Sequence, residues 1–169
     1  PQEYLGMPIT ARPPVAAAEQ PTEAAGATGV SDIALDGSPE DFLNKLWPAA
    51  EQAAAKLAIA PEALLAQAAL ETGWGRHVMR HGSGDSSHNL FGIKADSRWD
   101  GDRVEVNTLE YRDGVALKTR ANFRAYNNFE QSFSDYVDFV TGNPRYRHAL
   151  TNTGDPAAYF RALQEAGYA

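Results

Sequence analysis

The Asp113-Gly114 pair constrains the fold more than any other feature, because it separates two stretches in which apolar and polar residues alternate. Val104 and Val106 alternate with polar neighbours before the pair, and Val115 and Leu117 continue the alternation after it. Asp-Gly suits the two-residue turn of a β-hairpin, so this region is predicted to form one. The other patterned segments have helical spacing, which predicts an α+β fold, mostly helical with one small hairpin lobe.

Four helices and one short helical turn are predicted from apolar spacing and from the residues that begin and end helices. They are expected from Ser38 to Leu57 with a kink or restart at Pro48, from Pro61 to Gly73, from Asn128 to Gly142, at Asn143-Pro144, and from Asp155-Pro156. The expected one-sided apolar sets are Phe42, Leu43, Leu46 and Trp47 on the first helix, Phe133, Tyr136, Val137 and Val140 on the third, and Tyr159, Phe160 and Leu163 on the last.

The chain is expected to divide into a linker and one domain. Residues 1–38 are dominated by Pro, Ala, Gly, Thr and Glu, which cannot bury enough apolar surface to offset the entropy of ordering, so they are predicted to be a linker. Residues 39–169 are predicted to form the domain. Within it, residues 76–102 lack any period and are rich in Gly, Ser, Asp and His, which indicates a long ordered loop with a functional surface.

Charge and composition exclude several classes of function. The net charge is −7, with −4 on residues 1–38 and −3 on the remainder, so the folded part has no basic field for nucleic acid. The longest apolar runs are interrupted by Lys56 or Gln67 before the roughly 20 residues that a membrane span needs. The chain has no cysteine, which excludes disulfides, thiolate metal sites and a cysteine nucleophile.

Glu71 is the first candidate catalytic residue. It lies near the end of the second predicted helix, in line with Leu64, Gln67 and Ala68, on a largely apolar face. Partial desolvation there would raise the pKa of its carboxyl, as a general acid requires at neutral pH. The alternative is an exposed glutamate that frays beside the helix end or pairs with Arg76.

Glu110 is the second candidate, three residues before the hairpin turn. With Arg112 opposite Val115, Glu110 is expected opposite Leu117, on the same face as Thr108. A hairpin carboxylate facing a helix carboxylate is the pair that glycoside hydrolysis uses. The alternative is a solvated strand glutamate paired with a base.

Loop histidines and aromatic residues are the candidate binding groups. His77 and His81 have the i, i+4 spacing of a zinc pair, but Gly82 breaks any helix there and no third ligand is assigned, so neither metal nor cofactor is expected. Sugar rings stack on aromatic planes and their hydroxyls bind amides. Candidate substrate-binding residues are therefore Trp74, Asn89, Phe91 and Tyr111.

Two longer motifs carry a family resemblance. Residues 66–75 read AQAALETGWG and residues 87–94 read SHNLFGIK, with similar shorter segments at 108–111, 123–126, 143–146 and 166–169. In order and spacing they resemble the bacterial cell-wall N-acetylglucosaminidases of glycoside hydrolase family 73. The resemblance spans about residues 39–169.

The resemblance implies a fold, a substrate and roles for particular residues. It implies a lysozyme-like fold in which Glu71 is the catalytic acid, Glu110 a base or stabiliser, and Tyr168 a cleft tyrosine, while Asn89 and Phe91 shape the glycan groove. Because relatives continue with a further helix, the domain is expected to be truncated after residue 169. The implied substrate is peptidoglycan glycan strands, the implied location the periplasm, and, from a likeness to flagellar members, the implied partners are flagellar rod proteins.

The expected activity is hydrolysis of the β-1,4 bond after N-acetylglucosamine. Carboxyls about 6.5–9.5 Å apart would favour inversion, carboxyls about 5–5.5 Å apart would favour a covalent intermediate, and the substrate's acetamido group offers a third route. A lytic transglycosylase or muramidase of the same fold is the alternative enzyme. A non-catalytic module for wall binding or rod assembly is the alternative from another class.

Overall fold

A computed structural model describes residues 33–168, and most of the predicted linker lies outside these residues. Packing against the domain begins by Ile33, within the segment predicted to be linker. The side chain of Leu35 lies against Gly75, and Lys45 Nζ donates a hydrogen bond to the carbonyl oxygen of Ala34 at 2.6 Å. The segment just before the first helix is therefore bound to the helical body.

The first helix, α1 (Pro39–Leu57), begins as predicted. The Ser38 hydroxyl accepts a hydrogen bond from the backbone N–H of Asp41 at 3.2 Å, and the helix then continues through Pro48 without restarting. Two of the four residues expected on its apolar face are buried, whereas Leu43 and Trp47 are 39% and 37% exposed. The expectation was wrong for Leu43 and Trp47, because the buried face of α1 continues from Phe42 and Leu46 through a series of alanines.

The second helix, α2 (Pro61–Thr72), ends in a sharp turn. Gly73, Trp74 and Gly75 all have positive φ angles, of 56°, 61° and 84°. The backbone N–H of Trp74 bonds to the Ala69 carbonyl and that of Gly75 to the Thr72 hydroxyl, so the helix end is capped. This turn leads directly into the loop that faces the end of α2.

The hairpin has the predicted turn and register. Strands β1 (Arg103–Arg112) and β2 (Val115–Arg124) pair antiparallel, with Glu110 opposite Leu117. Asp113 and Gly114 form the turn with φ angles of 51° and 78°. Buried Val104 lies at the base of the hairpin, while the outer half is exposed. The hairpin therefore projects from the domain as a separate lobe.

The C-terminal helices also follow their predicted caps. Helix α3 (Phe129–Gly142) begins with the Asn128 side chain accepting the N–H of Gln131 at 2.8 Å. A 3-10 turn at Pro144–Tyr146 precedes α4 (Arg147–Leu150), and Asp155 caps α5 (Pro156–Glu165). The expected apolar residues of α3 and α5 are buried, except that Phe160 is half-buried.

These elements make the predicted α+β, lysozyme-like fold, with α1 packed against α2 and α3 around the core. Loop residues 87–91 are buried in this body and are held by hydrogen bonds, so the predicted loop is ordered. No single helix within residues 33–168 has the length and hydropathy to span a bilayer, although α1 and α2, bent by 118°, meet both criteria as a pair.

Candidate active site

Glu71 lies in the last turn of α2, above the loop that follows it. A Cβ placed on Gly92 would come within 3.2 Å of Glu71 Oε2, so any larger residue there would crowd the carboxyl and force it to shift. Gly92 also has a φ of 63°, which side-chain-bearing residues rarely adopt. Glu71 is solvent-exposed as a residue, yet the protein covers one side of its carboxyl, and this partial burial raises the carboxyl pKa above 4.5.

The carboxyl of Glu71 opens into a cleft of about 380 Å³ between α2 and α5. The cleft is mainly apolar; its lining residues are Ala66, Gln67, Leu70, Glu71, Phe160, Leu163, Gln164 and Tyr168. Among residues 33–168, neither Arg76 nor any other base forms an ion pair with Glu71. The ion pair between Glu71 and Arg76 that the sequence left open as an alternative is therefore not formed.

Tyr168 lies in the same cleft as Glu71. Its hydroxyl donates a hydrogen bond to the Phe91 carbonyl oxygen at 2.8 Å. The rings of Tyr136, Phe139 and Tyr146 surround it, with centroids 6.2, 6.0 and 5.9 Å away. Burial, and next the charge of Glu71, raise the pKa of Tyr168 well above 10, so its hydroxyl is a neutral donor.

Asn89 and Phe91 are both about 1% exposed and belong to the loop whose Phe91 carbonyl binds the Tyr168 hydroxyl. The Asn89 amide nitrogen donates to the carbonyls of Ile93 and Arg124 at 3.0 and 2.9 Å, and its oxygen accepts the N–H groups of Phe91 and Ile93. Phe91 stacks on Tyr136 with centroids 4.3 Å apart. The loop meets the cleft through the Phe91 carbonyl, which binds Tyr168, and a role of Asn89 or Phe91 in shaping the groove or contacting sugar stays a prediction.

Trp74 is half-buried against α1. Its ring meets Phe42 edge to face at 5.7 Å, and it is absent from the lining of the Glu71 cleft. Packing with the core therefore accounts for this residue, and binding of substrate by it stays a prediction.

Glu110 and Tyr111 lie on opposite faces of the hairpin, because neighbouring strand residues alternate. Glu110 shares a face with Thr108 and with Val104, which is buried at the base. That face is the one that continues into the body of the domain. Tyr111 lies on the other face and is 73% exposed. Because the two side chains lie on opposite faces, the structure does not support the expectation that Glu110 and Tyr111 face the same substrate groove.

Three hydrogen-bonded polar side chains beneath Glu71 were missed from the sequence. The Tyr136 hydroxyl donates to Gln67 Oε1 at 2.8 Å and lies 2.5 Å from the Tyr159 hydroxyl. Gln67 precedes Glu71 by one helical turn, so this cluster joins α2, α3 and α5 directly below the acid. Burial raises the pKa of Tyr159 to about 12, which keeps its hydroxyl neutral. The apolar spacing of Tyr136 and Tyr159 predicted burial but gave no sign of shared polar contacts.

The loop histidines do not gather into a metal site. Within residues 33–168 there is no group of three His, Cys, Asp or Glu side chains arranged to hold a metal ion. His88 is buried, with Nδ1 2.9 Å from the Tyr126 carbonyl oxygen and its ring 4.8 Å from that of Phe129. Its contacts tie the loop to α3.

A helical body with one hairpin lobe and a desolvated carboxyl in a cleft defines a glycoside hydrolase domain of lysozyme-like fold. Residues 47–169 match the glucosaminidase family model, described as mannosyl-glycoprotein endo-beta-N-acetylglucosaminidase. The chain belongs to this family, which confirms the resemblance found from the motifs.

Individual relatives agree with that assignment. The chain is 52% identical over 132 residues to the peptidoglycan hydrolase FlgJ of Vibrio parahaemolyticus, covering 78% of this chain and 42% of that protein. A peptidoglycan hydrolase mutant from Sphingomonas sp. A1 is 48% identical with a TM-score of 0.69, over 76% of this chain and 82% of that one. A C-terminally truncated glycoside hydrolase domain of Salmonella typhimurium FlgJ is 42% identical with a TM-score of 0.61, over 76% and 85%. The chain thus spans less than half of the curated relative.

Proposed function

We propose that this domain hydrolyses the β-1,4 bond after N-acetylglucosamine in peptidoglycan glycan strands, without a metal or cofactor. The observation that carries the proposal is the Glu71 carboxyl, which lies over Gly92 in a cleft and has a raised pKa. The family match and the peptidoglycan hydrolases among the relatives supply the substrate class.

Glu71 acts as the general acid. Its carboxyl donates a proton to the glycosidic oxygen as the bond to the sugar C1 breaks and an oxocarbenium-like state develops. A carboxyl with an ordinary pKa is almost wholly ionised at neutral pH, and desolvation at this position raises the pKa of Glu71, which favours the protonated form that a general acid needs. Glu71 has no neighbouring base in the described part of the chain that would remove this advantage.

Tyr168 and the loop at residue 91 shape the place of reaction. The Tyr168 hydroxyl is fixed by the Phe91 carbonyl, and its ring closes the side of the cleft next to Glu71. Fixed groups of this kind limit the orientations of a bound sugar and exclude water from the acid. We assign Tyr168 to orienting the substrate and keeping Glu71 protonated.

Glu110 is the second carboxylate of the proposal, acting as base or stabiliser on the opposite face of the sugar. Support comes from its strand parity, since it lies on the hairpin face that runs into the domain body. Its residue is exposed on that face and is therefore accessible to a bound glycan.

The biological setting follows from the relatives. Because peptidoglycan would be its substrate, we infer a periplasmic location, and the name FlgJ carried by the relatives supports a role in opening the wall for rod assembly, with rod proteins as partners.

Digestion of purified sacculi tests the function. Wild type, Glu71→Gln and Glu62→Gln are compared by turbidity, and the products are reduced and analysed by mass spectrometry. Wild type and Glu62→Gln, which alters an exposed glutamate in the first turn of the same helix, should release fragments ending in reduced N-acetylglucosamine.

Other products would replace the proposal. Products with 1,6-anhydromuramic ends would make the domain a lytic transglycosylase, and reduced muramic acid ends would make it a muramidase. Full activity in Glu71→Gln would remove the assigned acid. Binding of sacculi without any cleavage would favour the non-catalytic module.

A further inference from the structure

A second cavity, of about 560 Å³, lies on the other side of Tyr168 from the Glu71 cleft. Gly92 and Tyr168 form part of its wall, so the two spaces meet where the Glu71 carboxyl sits. In contrast to the apolar cleft, this cavity is lined by charged side chains, namely Lys94, Asp96, Arg98 and Arg145.

The charges in this cavity do not cancel. Arg98 is committed to Asp96, with Nη2 2.7 Å and Nε 3.1 Å from Oδ2, and this pairing lowers the pKa of the Asp96 carboxyl. In the part of the chain that the structure describes, Lys94 and Arg145 form no ion pair. The cavity therefore has two uncompensated positive charges in a chain whose net charge is −7.

The backbones of Lys94 and Arg145 are both held in place by hydrogen bonds. The N–H of Arg145 is bound by the Asn143 side chain at 3.1 Å, and its guanidinium Nη1 lies 3.9 Å from the position of a Cβ on Gly167. The Lys94 carbonyl accepts a hydrogen bond from Arg124 Nε at 3.2 Å, and Lys94 is bridged to Phe123 on β2. The Arg145 guanidinium thus lies beside Gly167, the residue that precedes Tyr168, and Lys94 lines the same cavity.

We propose that Lys94 and Arg145 form a carboxylate-binding subsite for the muramyl side of the glycan strand. This inference rests on the proposed function and names the part of the substrate that the same site selects. N-acetylglucosamine residues are uncharged, whereas muramic acid bears a lactyl group with a carboxyl, usually extended by a peptide stem with carboxylates of its own. Guanidinium and ammonium groups bind carboxylates with charge-assisted hydrogen bonds.

Position supports this assignment. A bond cleaved after N-acetylglucosamine has a muramyl residue as its next neighbour, and the cavity begins on the far side of Tyr168 from the Glu71 cleft. A glycan laid across both spaces would present the acidic substituents of the muramyl residue on that side to the two cations. The subsite would thus select peptidoglycan over a neutral chain of N-acetylglucosamine.

Binding to three polymers tests the subsite independently of catalysis. In a Glu71→Gln background, cosedimentation is measured with intact sacculi, with glycan stripped of peptides by an amidase, and with that glycan after its carboxyls are coupled to ethanolamine. The test variant is Lys94→Gln with Arg145→Gln. The control is Lys56→Gln with Arg161→Gln, which removes two exposed charges elsewhere.

We expect the test variant to bind intact sacculi about three- to tenfold more weakly than the control, the range for two partly exposed charge contacts. Binding to the neutralised glycan should be equal in both. Equal weakening on all three polymers, or none on any, would overturn the proposal. A loss confined to intact sacculi assigns the stem carboxylates, a loss confined to stripped glycan assigns the lactyl carboxylate, which the amidase frees, and a loss on both means that the subsite accepts either carboxylate.

Further measurements distinguish loss of the subsite from misfolding of the variant and from failure of the proposed function. Melting temperatures identify a misfolded variant, and Lys94→Arg with Arg145→Lys, which retains both charges, should restore most binding to intact sacculi. Wild-type binding to intact sacculi should also weaken with salt more steeply than binding to neutralised glycan. If wild type releases no reducing N-acetylglucosamine ends from sacculi, the proposed glucosaminidase activity is refuted. The binding measurements would still decide whether Lys94 and Arg145 bind carboxylates.

Discussion

The two candidate carboxylates occupy contrasting parts of the molecule. Glu71 ends a helix that is packed against the core, with a hydrogen-bonded cluster beneath it and Gly92 against its carboxyl. Glu110 lies on the outer half of a two-stranded hairpin whose neighbours Leu109 and Leu117 are 60% and 45% exposed. The hairpin is tied down at its base, where Arg124 pairs with Asp135 at 3.0 Å and lies over the Trp99 ring.

The contrast teaches that the two roles have different structural requirements. Desolvation favours the protonated form of a carboxyl, and Glu71 is partly desolvated because its helix belongs to the packed body of the domain. A base or stabiliser needs its charge, and it keeps that charge best in a solvated position. Substitutions should therefore affect the two regions unequally.

The largest effect is expected for Glu71→Gln. Removing the proton donor while keeping the side-chain shape should lower the rate of sacculus lysis by about 10²–10⁴-fold, the usual contribution of general acid catalysis. Glu62→Gln, on the same helix, should retain wild-type rates. A Glu71→Gln protein within tenfold of wild type would show that the packed carboxyl is not the acid.

A smaller loss, of roughly tenfold to a hundredfold, is expected for Glu110→Gln. The hairpin position leaves room for water to replace part of its function, so catalysis should be weakened without being abolished. Glu105→Gln, on the opposite face of the same strand, is the control, and its exposed pair with Arg120 contributes little to stability. Equal rates for the two variants would mean that Glu110 has no part in the reaction.

Tyr168→Phe should lower kcat about tenfold and cost about 1 kcal/mol in the free energy of unfolding, because the Phe91 carbonyl loses its donor. Chemical denaturation and lysis rates measure the two effects. Tyr111→Phe is the matched control on the hairpin. A loss of stability with an unchanged kcat would restrict Tyr168 to a structural role.

The pH dependence of stability should differ between wild type and Glu71→Gln. The pKa of Glu71 is raised in the folded protein by desolvation, so wild type loses stability as pH rises from the ordinary glutamate range through that raised pKa. The amide that replaces the carboxyl in the variant does not titrate. The variant should therefore melt higher by at most about 3 °C at pH 8, since solvent screens a partly exposed group, and the advantage should vanish near pH 4.

The opposite sign would contradict this assignment of the pKa. A variant that melts lower than wild type at pH 8 but not at pH 4 would mean that the ionised Glu71 is stabilised in the fold. Wild-type activity should fall on the alkaline side over the same pH range, because the acid form is the active one.

The smallest effect is expected for Tyr111→Ala. Its side chain lies on the hairpin face opposite Glu110, so lysis rates should stay within about twofold of wild type. Leu117→Ala, which is paired with Glu110 on the other face, should be the more harmful of the two. The reverse order in the lysis assay would mean that substrate meets the outer face.

The helix ends and the hairpin turn could be predicted because they depend on residues that are close in sequence. The caps at Ser38, Asn128 and Asp155 and the Asp-Gly turn each depend on residues within a few positions, so the sequence shows them directly. The placement of Glu71 followed from helical spacing, since its line of neighbours lies on one side of α2.

Features formed by distant residues could not be predicted in the same way. The burial of Asn89 depends on backbone partners 35 residues away, in a loop without any period. Lys94 and Arg145 share a cavity only because α3 and the 3-10 turn bring them together. The alternation of strand residues, which puts Tyr111 and Glu110 on opposite faces, can be derived from the sequence. The prediction that Tyr111 binds substrate depended only on its aromatic side chain.

The hydrogen bond from Tyr168 to the Phe91 carbonyl joins residues 77 positions apart and has a consequence for biosynthesis. While the polypeptide is being made, α2 and its glutamate emerge from the ribosome long before the tyrosine that walls them in. The enclosure of Glu71 is thus completed only after the glutamate itself has been made, so a nascent chain carries this carboxyl without the tyrosine beside it.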